Sequence, residues 1–559
     1  MSTTVILTGL LPFIVLVASA LAVPTSLLLL RLYRNAVQKG MRSVGGGTVL
    51  SPDRTAVHRA PSSSLRTQAF DHTSNQAQPD ADSPAYSKAR YGAWKTAAVY
   101  TAAGGSYALI MTAGWLTATH DQAIVWIKVL LLFWSYLWPT VIAVVLVAAY
   151  DRPGRLRLFA AYFVGLLAIS AVAAARNPGT GLGQVPLYWI LENGPPTALV
   201  LTFLLRPIRA VGPLVLAFLI AIATGSQFLL SIASANQTLL RLIAEIGFRL
   251  GLNTVAIFSC LILLGMIAFG LLGWPLLRVL GKQYEQKKLS DQSIMLDALW
   301  LLFGVVQSIG LAFESPPWIL SGLVAFIGYK LVSRLGLRWT VAAHPAGDSK
   351  TLLLLRVFAL GRRSEKLFDK LRKHWPYAGN ISMIAGPDLV TTTIEPHEFL
   401  DFVSGRLGRQ FVSDAQDLER RMALIDKRPD PDGRCRINEF FCHNDTWQMT
   451  MERLAATSDA VLMDLRSFSP ANRGCIFELG RLLDGIDLRR VVFLVDDTTD
   501  RGFLETTLQH LWQDLGADSP NQAASPPTVR LFRIAAQSRR ELGALLRLLM
   551  GAVPATTAA

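Results

Sequence analysis

The chain has 559 residues, of which 51% are hydrophobic and only 17% charged, well below the roughly 25% charged content of soluble proteins. Its net charge of +14 sits entirely in residues 1–350, which hold 27 Lys and Arg against 13 Asp and Glu; the remainder holds 27 of each. A basic surplus between apolar segments is a topology and lipid-headgroup signal, and the neutral remainder lacks the basic stripe that a DNA- or RNA-binding surface would need.

A bilayer-spanning helix needs about 20 mostly apolar residues. Nine segments qualify: Val5–Leu30, Thr96–Thr117, Ile124–Ala149, Leu158–Ala175, Leu187–Leu205, Val211–Ile232, Thr254–Leu277, Ile294–Phe313 and Trp318–Val332. The fifth contains Glu192, Asn193, Pro195 and Pro196, which suits a broken or re-entrant helix. Basic residues fall in alternate loops: Arg34, Lys39, Arg42 and Arg54; Arg152, Arg155 and Arg157; Arg206 and Arg209; Arg278, Lys282, Lys287 and Lys288; then Lys330, Arg334 and Arg338. Nine spans with the N-terminus outside and the C-terminus in the cytoplasm place every one of these clusters inside. On this reading residues 1–34 are an N-out anchor. Met1–Thr4 has no basic side chain and the apolar run continues to Leu30, unlike a cleaved signal.

Residues 35–90 are rich in Ser, Gly, Pro, Ala and Asp, and read as a disordered basic cytoplasmic loop. Residues 91–339 hold the other eight spans. Ser234–Gly251 carries Leu239, Leu240, Ile243, Ile246 and Leu250 at helical spacing and suits a helix lying along the membrane surface. Ionisable residues near the spans are few: Lys128, Glu192, Asp297 and Glu314. They read as interfacial or snorkelling groups, with no paired acid relay and no clear internal repeat of the kind transporters use.

From residue 340 to 550 the pattern becomes that of an α/β domain, followed by a short tail at 551–559. Strands are expected at Thr351–Ala359, Ile381–Ala385, Arg436–Cys442, Ala460–Leu465, Arg490–Val495 and Thr528–Ile534. Helices are expected at Ser364–Trp375, around Phe399–Leu407, and at Thr446–Ala456, Pro470–Leu483 and Arg539–Leu549. Strands alternating with helices, the central strands apolar on both faces, imply a parallel sheet covered on both sides. Ligands of such sheets sit outside the carboxyl ends of the strands.

The four cysteines show no CxxC or zinc-type spacing; Cys260 lies in an apolar segment, and a cytosolic domain keeps Cys435, Cys442 and Cys475 reduced. Cys442-His443 and Cys475 read as packing residues, Gly386-Pro387-Asp388 as a turn, and no metal site is expected. Gly179–Gly183 is Gly-rich, but no strand precedes it, so it is no phosphate loop.

The segment Ser458–Gly480 runs from a strand through a polar loop into a helix with Ser469 at the N-cap and Pro470 at N1. Cys475 and Glu478 share a face of that helix, while Ile476, Leu479 and Leu483 mark the buried one. This order resembles the Toll/interleukin-1 receptor (TIR) domain, with its strand, Ser-containing loop and Cys-x-x-Glu-Leu helix. Arg356–Phe368 also resembles the first TIR strand, with its turn Arg and the Phe after it. Gly474–Gly480 is similar to the Gly-x-x-x-Glu-Leu-Gly run of nucleoside deoxyribosyltransferase-like domains. Gly474 replaces the usual TIR Trp, and Arg362 and Arg363 replace an acidic loop, so the choice between the groups stays open.

The resemblance implies a flavodoxin-like (TIR-like) sheet that cleaves an N-glycosidic bond to ribose or deoxyribose, with Glu478 catalytic. A carboxylate there can stabilise or trap the oxocarbenium charge that develops on the sugar. It further implies NAD as a candidate substrate rather than a bound cofactor. Arg362 and Arg363 are then candidates for the phosphates, and Asp464, Ser467 and Asn472 for the ribose hydroxyls. Two alternatives stand beside this reading: a non-catalytic nucleotide-binding or self-associating module coupled to a membrane sensor, and a transporter with a regulatory domain. A surface Glu478 paired with Arg481 would leave the enzyme reading without its carboxylate.

Overall fold

A computed structural model describes residues 11–43, 65–71, 84–119, 125–148, 152–176, 184–203, 208, 211–341, 350–356, 362–386, 394–425, 427–522, 527–535 and 537–551. The run Gly179–Gly183, the Pro387-Asp388 turn and the tail beyond residue 551 lie outside the described residues. The chain is mostly helical and divides into two compact units. One comprises 1–32, 93–342 and 395–400; the other comprises 33–92, 343–394 and 401–559.

The first unit contains most of α1 (Leu11–Arg42) and α2 (Pro84–Ala118), then α3 (Trp126–Tyr136), α4 (Trp138–Val147), α5 (Arg152–Arg176), α6 (Gln184–Phe203) and α7 (Gly212–Ala235). It continues with α8 (Gln237–Arg249), α9 (Thr254–Glu285), α10 (Asp291–Ala312) and α11 (Ser321–Val341). Among the described residues, six helical stretches are long and apolar enough to cross a membrane: Val17–Arg42, Trp126–Val147, Arg152–Arg176, Thr254–Glu285, Asp291–Ala312 and Pro317–Trp339. The other three expected spans are helical too, as α2, α6 and α7. In α2 the apolar side chains are diluted by Gly, Ala and Thr, and α6 carries Glu192, Asn193, Pro195 and Pro196. Large apolar side chains stand exposed along α9, including Leu263, Leu264, Leu271 and Leu272. Such a continuous exposed face suits lipid rather than water. On α8, capped by Asn236, residues Leu240, Leu242, Ile246 and Phe248 are exposed in the same way.

Helices in this unit meet through small residues and buried hydrogen bonds, as expected where lipid supplies no hydrophobic drive. α10 and α11 cross at Gly304 and Gly322, where a Cβ built on Gly322 would lie 2.0 Å from the Gly304 carbonyl oxygen. The Tyr107 hydroxyl donates to Gln307 Oε1 at 2.7 Å, Gln307 Nε2 to Asn193 Oδ1 at 3.0 Å, and Asn193 Nδ2 to Ser135 Oγ at 3.0 Å. Asp297, expected near an interface, forms an ion pair with Lys330, and Lys128 sits 4.2 Å over the Trp115 ring.

The second unit is built on an all-parallel eight-stranded sheet. Its strands are β1 (Arg66–Phe70), β2 (Lys350–Arg356), β3 (Gly379–Ile384), β4 (Phe411–Val412), β5 (Ile437–Cys442), β6 (Ala460–Asp464), β7 (Val491–Val495) and β8 (Thr528–Arg533). Their spatial order is β1-β8-β7-β6-β2-β3-β5-β4. Strands β3-β2-β6-β7-β8 alone follow the flavodoxin-like order 2-1-3-4-5; β5, added outside β3, makes the series 3-2-1-4-5-6. The helices are α12 (Arg362–His374), α13 (Pro396–Val403), which the division into units cuts, α14 (Ala415–Leu424), α15 (Trp447–Thr457), α16 (Arg473–Gly485), α17 (Arg501–Gln513) and α18 (Arg539–Met550).

Both faces of the sheet are covered, which is why β2, β6 and β7 are apolar throughout. On one face Leu353, Val461 and Phe493 pack with Leu454, Leu479, Leu482, Leu508 and Trp512 of α15, α16 and α17. On the other, Leu352, Leu462 and Val492 pack with Leu367, Phe368 and Leu371 of α12 and with Leu545 and Leu549 of α18.

The stretch 35–90, expected as a disordered loop, is partly ordered. α1 continues to Arg42, β1 pairs with β8 over Arg66↔Thr528 to Phe70↔Phe532, and α2 begins at Pro84. Backbone pairing to an open sheet edge makes β1, whose side chains are almost all exposed and give no apolar signal. The end of α1 is held within this unit, where His443 Nδ1 lies 2.9 Å from both the Gly40 carbonyl and Ser43 Oγ. Strand β4 and helices α14 and α17 were likewise not anticipated. None of the four cysteines is in a disulfide; Cys442 is buried, and burial pushes its thiol up to about 12.

Candidate functional site

Strand progression reverses between β2 and β6: β3 and β5 follow β2 in one direction, β7 and β8 follow β6 in the other. In doubly wound sheets a ligand crevice opens beyond the carboxyl ends at such a point. Here those ends are charged. Arg356 ends β2 directly opposite Asp464, which ends β6, and Asp496 follows β7. Arg356 and Asp464 are almost completely buried.

Glu478 approaches this edge from α16. Cys475, Leu479, Leu482 and Leu483 of that helix are buried at i, i+4, i+7 and i+8, and Glu478 lies on the same buried side, 4% exposed. The surface pairing with Arg481 does not occur; Arg481 Nε bonds Glu452 Oε1 at 2.9 Å instead. Glu478 Oε2 is buried with no hydrogen-bond partner among the described residues. Desolvation pushes the carboxyl from its ordinary value near 4.5 up to about 8, and the Arg356 guanidinium pulls it partly back. A buried carboxylate with an oxygen free is costly to fold around, and such perturbed groups gather at functional sites. Burial, aided by the charges of Glu478 and Asp464, pushes the Cys475 thiol up to about 12, which removes it as a nucleophile near neutral pH.

Helix α16 starts three residues later than expected. Asn472, not Ser469, is its N-cap residue, and Asn472 Oδ1 accepts from Ser469 N at 2.9 Å and Ser469 Oγ at 3.1 Å, closing a turn around Pro470. Asn472 is therefore engaged in shaping the loop. Asp464 is engaged as well: Oδ1 accepts from Arg466 Nε at 2.7 Å and Oδ2 from Arg466 Nη2 at 2.5 Å, in a pair only 2% exposed on each side. Arg466 Nη2 also donates to the Arg363 carbonyl at 3.3 Å.

Ser467 sits at φ +58°, a left-handed conformation that turns the loop back toward β7. Its hydroxyl lies 2.9 Å from Thr498 Oγ1. Arg363, near the start of α12, reaches the same place: Nη1 is 3.1 Å from Thr498 Oγ1 and 3.5 Å from Ser467 Oγ, and Nη2 bonds Asp496 Oδ2 at 2.8 Å. Arg362 opens α12, and its side chain lies outside the described residues. So Arg363, Ser467 and Asp464 converge on the carboxyl edge, and Glu478 lies beneath it near Arg356.

Arg356, Arg466, Asp496 and Thr498 join this site without being among the residues that the sequence marks as candidates for it. A usable signal existed: LLLLR, VLMD and VVFLVDD each end an apolar run in charge, the pattern of strands whose carboxyl ends face a polar edge. Comparisons with protein-family models, with curated proteins and with solved structures give no match to this chain.

Proposed function

We propose that the sheet unit is a TIR-like or deoxyribosyltransferase-like module that cleaves the N-glycosidic bond of NAD or a related nucleoside, with Glu478 as the reacting carboxylate. One observation carries the reading: a buried carboxylate with a free oxygen lies under the carboxyl edge at the strand-order reversal. Once ionised, that oxygen stabilises the oxocarbenium charge that forms as the base departs. A cationic base such as nicotinamide favours that ionisation, because a positive charge nearby opposes the cost of desolvation. Arg363, half-exposed at the rim, is the group to meet a phosphate, exchanging its bond to Asp496. Ser467 offers its hydroxyl to the ribose.

The membrane arrangement we propose has nine spans, the N-terminus outside and the sheet unit on the cytoplasmic side, where NAD is present. Its support is the placement of basic residues in alternate loops. Labelling of Ser62→Cys and Asn177→Cys variants with an impermeant maleimide tests it. Position 177 should react in intact cells and position 62 only after permeabilisation; the reverse pattern contradicts the orientation.

One observation favours a second reading, in which the unit binds a nucleotide or another copy of itself without turnover. Asp464 and Asn472 are already satisfied by Arg466 and Ser469, so two of the expected ribose contacts begin engaged. The test is release of free base from NAD and, separately, from deoxyadenosine by the full-length protein in lipid vesicles, at low and high protein density. Nicotinamide release that Glu478→Ala abolishes supports the enzyme. Base release from deoxyadenosine alone selects the deoxyribosyltransferase-like branch. No turnover at any density, with nucleotide still bound, selects the second reading.

A further inference from the structure

Glu192 stands near the middle of α6 rather than at either of its ends. The next residue, Asn193, is fully buried and joins three helices: its Nδ2 donates to Ser135 Oγ of α3 at 3.0 Å, and its Oδ1 accepts from Gln307 Nε2 of α10 at 3.0 Å. Ser135 lies near the middle of the Trp126–Val147 stretch, which is long and apolar enough to cross a bilayer. Asn193 is thereby held at that depth, and Glu192 with it.

Tyr136, the neighbour of Ser135, and Tyr188, one turn before Glu192, face its carboxyl. Tyr107 of α2, which donates to Gln307 Oε1 at 2.7 Å, lies nearby. These phenols can donate hydrogen bonds but bring no positive charge. Glu192 Oε2 is buried and has no hydrogen-bond partner among the described residues. No described Lys, Arg or His pairs with the carboxyl: Lys128 of α3 sits 4.2 Å over the Trp115 ring, and Lys330 pairs with Asp297. An ionised carboxylate here would be a buried charge without a partner, which is strongly unfavourable. The missing positive charge has to come from solution.

We propose that Glu192 is a proton-binding site of the first unit, whose proton is taken up from water and returned to it. An alkali cation needs several oxygens around it, and the nearest amide oxygens are committed: Asn193 Oδ1 and Gln307 Oε1 both accept within the chain. A proton needs only the carboxyl. The backbone suits a site that moves. Pro195 and Pro196 lack the N–H groups that would bond the Leu191 and Glu192 carbonyls in an unbroken helix, so α6 is least tied where Glu192 stands. Gain or loss of the proton therefore acts on the Tyr107–Gln307–Asn193–Ser135 chain, through which α2, α3, α6 and α10 are joined.

Two measurements on the full-length protein in detergent test the site. In thermal unfolding without Na⁺, the midpoint of Glu192→Gln relative to wild type should climb between pH 6 and pH 9, because wild type loses a proton that the amide never needs. Dicyclohexylcarbodiimide, which attacks a protonated carboxyl in apolar surroundings, should label Glu192 and spare Asp297, whose charge Lys330 meets. That labelling, located by peptide mass spectrometry, should fall at least about tenfold from pH 6 to pH 9. It needs no variant, so it decides the matter if Glu192→Gln does not fold. A midpoint difference that stays constant over this range overturns the proposal, as does labelling that ignores pH. Labelling that NaCl suppresses at fixed pH assigns the site to an alkali cation and overturns the proton as its ligand.

Discussion

At the scale of single residues, the sheet unit invests in charge that it buries. Glu478 is raised in the folded state, so the folded protein keeps its proton where the unfolded chain has lost it. Stability on its account is therefore full below pH 4.5 and falls as pH rises toward about 8. Glu478→Gln removes that penalty. In thermal unfolding of the full-length protein, the midpoint of Glu478→Gln relative to wild type should rise steadily between pH 5 and pH 8; a constant difference would show the carboxyl to be ordinary. Asp464 is instead fully paired, both of its oxygens accepting from Arg466. Asp464→Ala strands a guanidinium 2% exposed, which should cost about 3–5 kcal/mol by denaturant unfolding. Asp464→Ala with Arg466→Met should recover much of it.

At the scale of elements, two contacts are rigid enough to test by substitution or deletion. Gly322→Ala puts a Cβ against the Gly304 carbonyl, backbone on backbone, so neither side can rotate away. A loss of about 1–3 kcal/mol is expected, whereas Gly310→Ala, on the partner helix α10, meets open space and should be neutral. Thermal unfolding in detergent compares the two directly. The second contact is β1 on β8. Deleting residues 65–71 leaves the β8 edge unpaired, and hydrogen exchange of the amides from Val529 to Arg533 should quicken. Unchanged protection would mean that β1 adds nothing to the sheet.

These same elements show what could be read beforehand. Every strand from 350 onward with an apolar core was legible, because a two-faced burial leaves an unbroken Leu/Val run such as LLLL or VVFLV. The two-residue β4 and the polar β1 were not, since one is too short for a period and the other is made by backbone pairing alone. Helix α16 was misplaced by three residues because Ser469-Pro470 imitates an N-cap; only the Asn472 side chain, folded back onto Ser469, reveals the turn. Glu478 was legible as a candidate from its spacing. Its burial was not, because a polar residue on an apolar face is ordinarily read as marking the solvent side.

At the scale of the whole chain, six helical stretches suited to a bilayer accompany a parallel sheet that recruits a strand from residues 66–70, nearly three hundred residues ahead of β2. The sheet unit is thus not contained in residues 340–559, and assays belong on the full-length protein. The role of Glu478 as the reacting carboxylate is decided by the pH dependence of nicotinamide release from NAD, because kcat/KM reports the titration of the free protein. kcat/KM should rise from pH 6, pass half-maximum near pH 8, where Glu478 is half ionised, and level about one pH unit above that, with that limb absent and the rate at least about a hundredfold lower in Glu478→Gln. A Glu478→Gln protein that releases nicotinamide as fast as wild type, with the same profile, would contradict it.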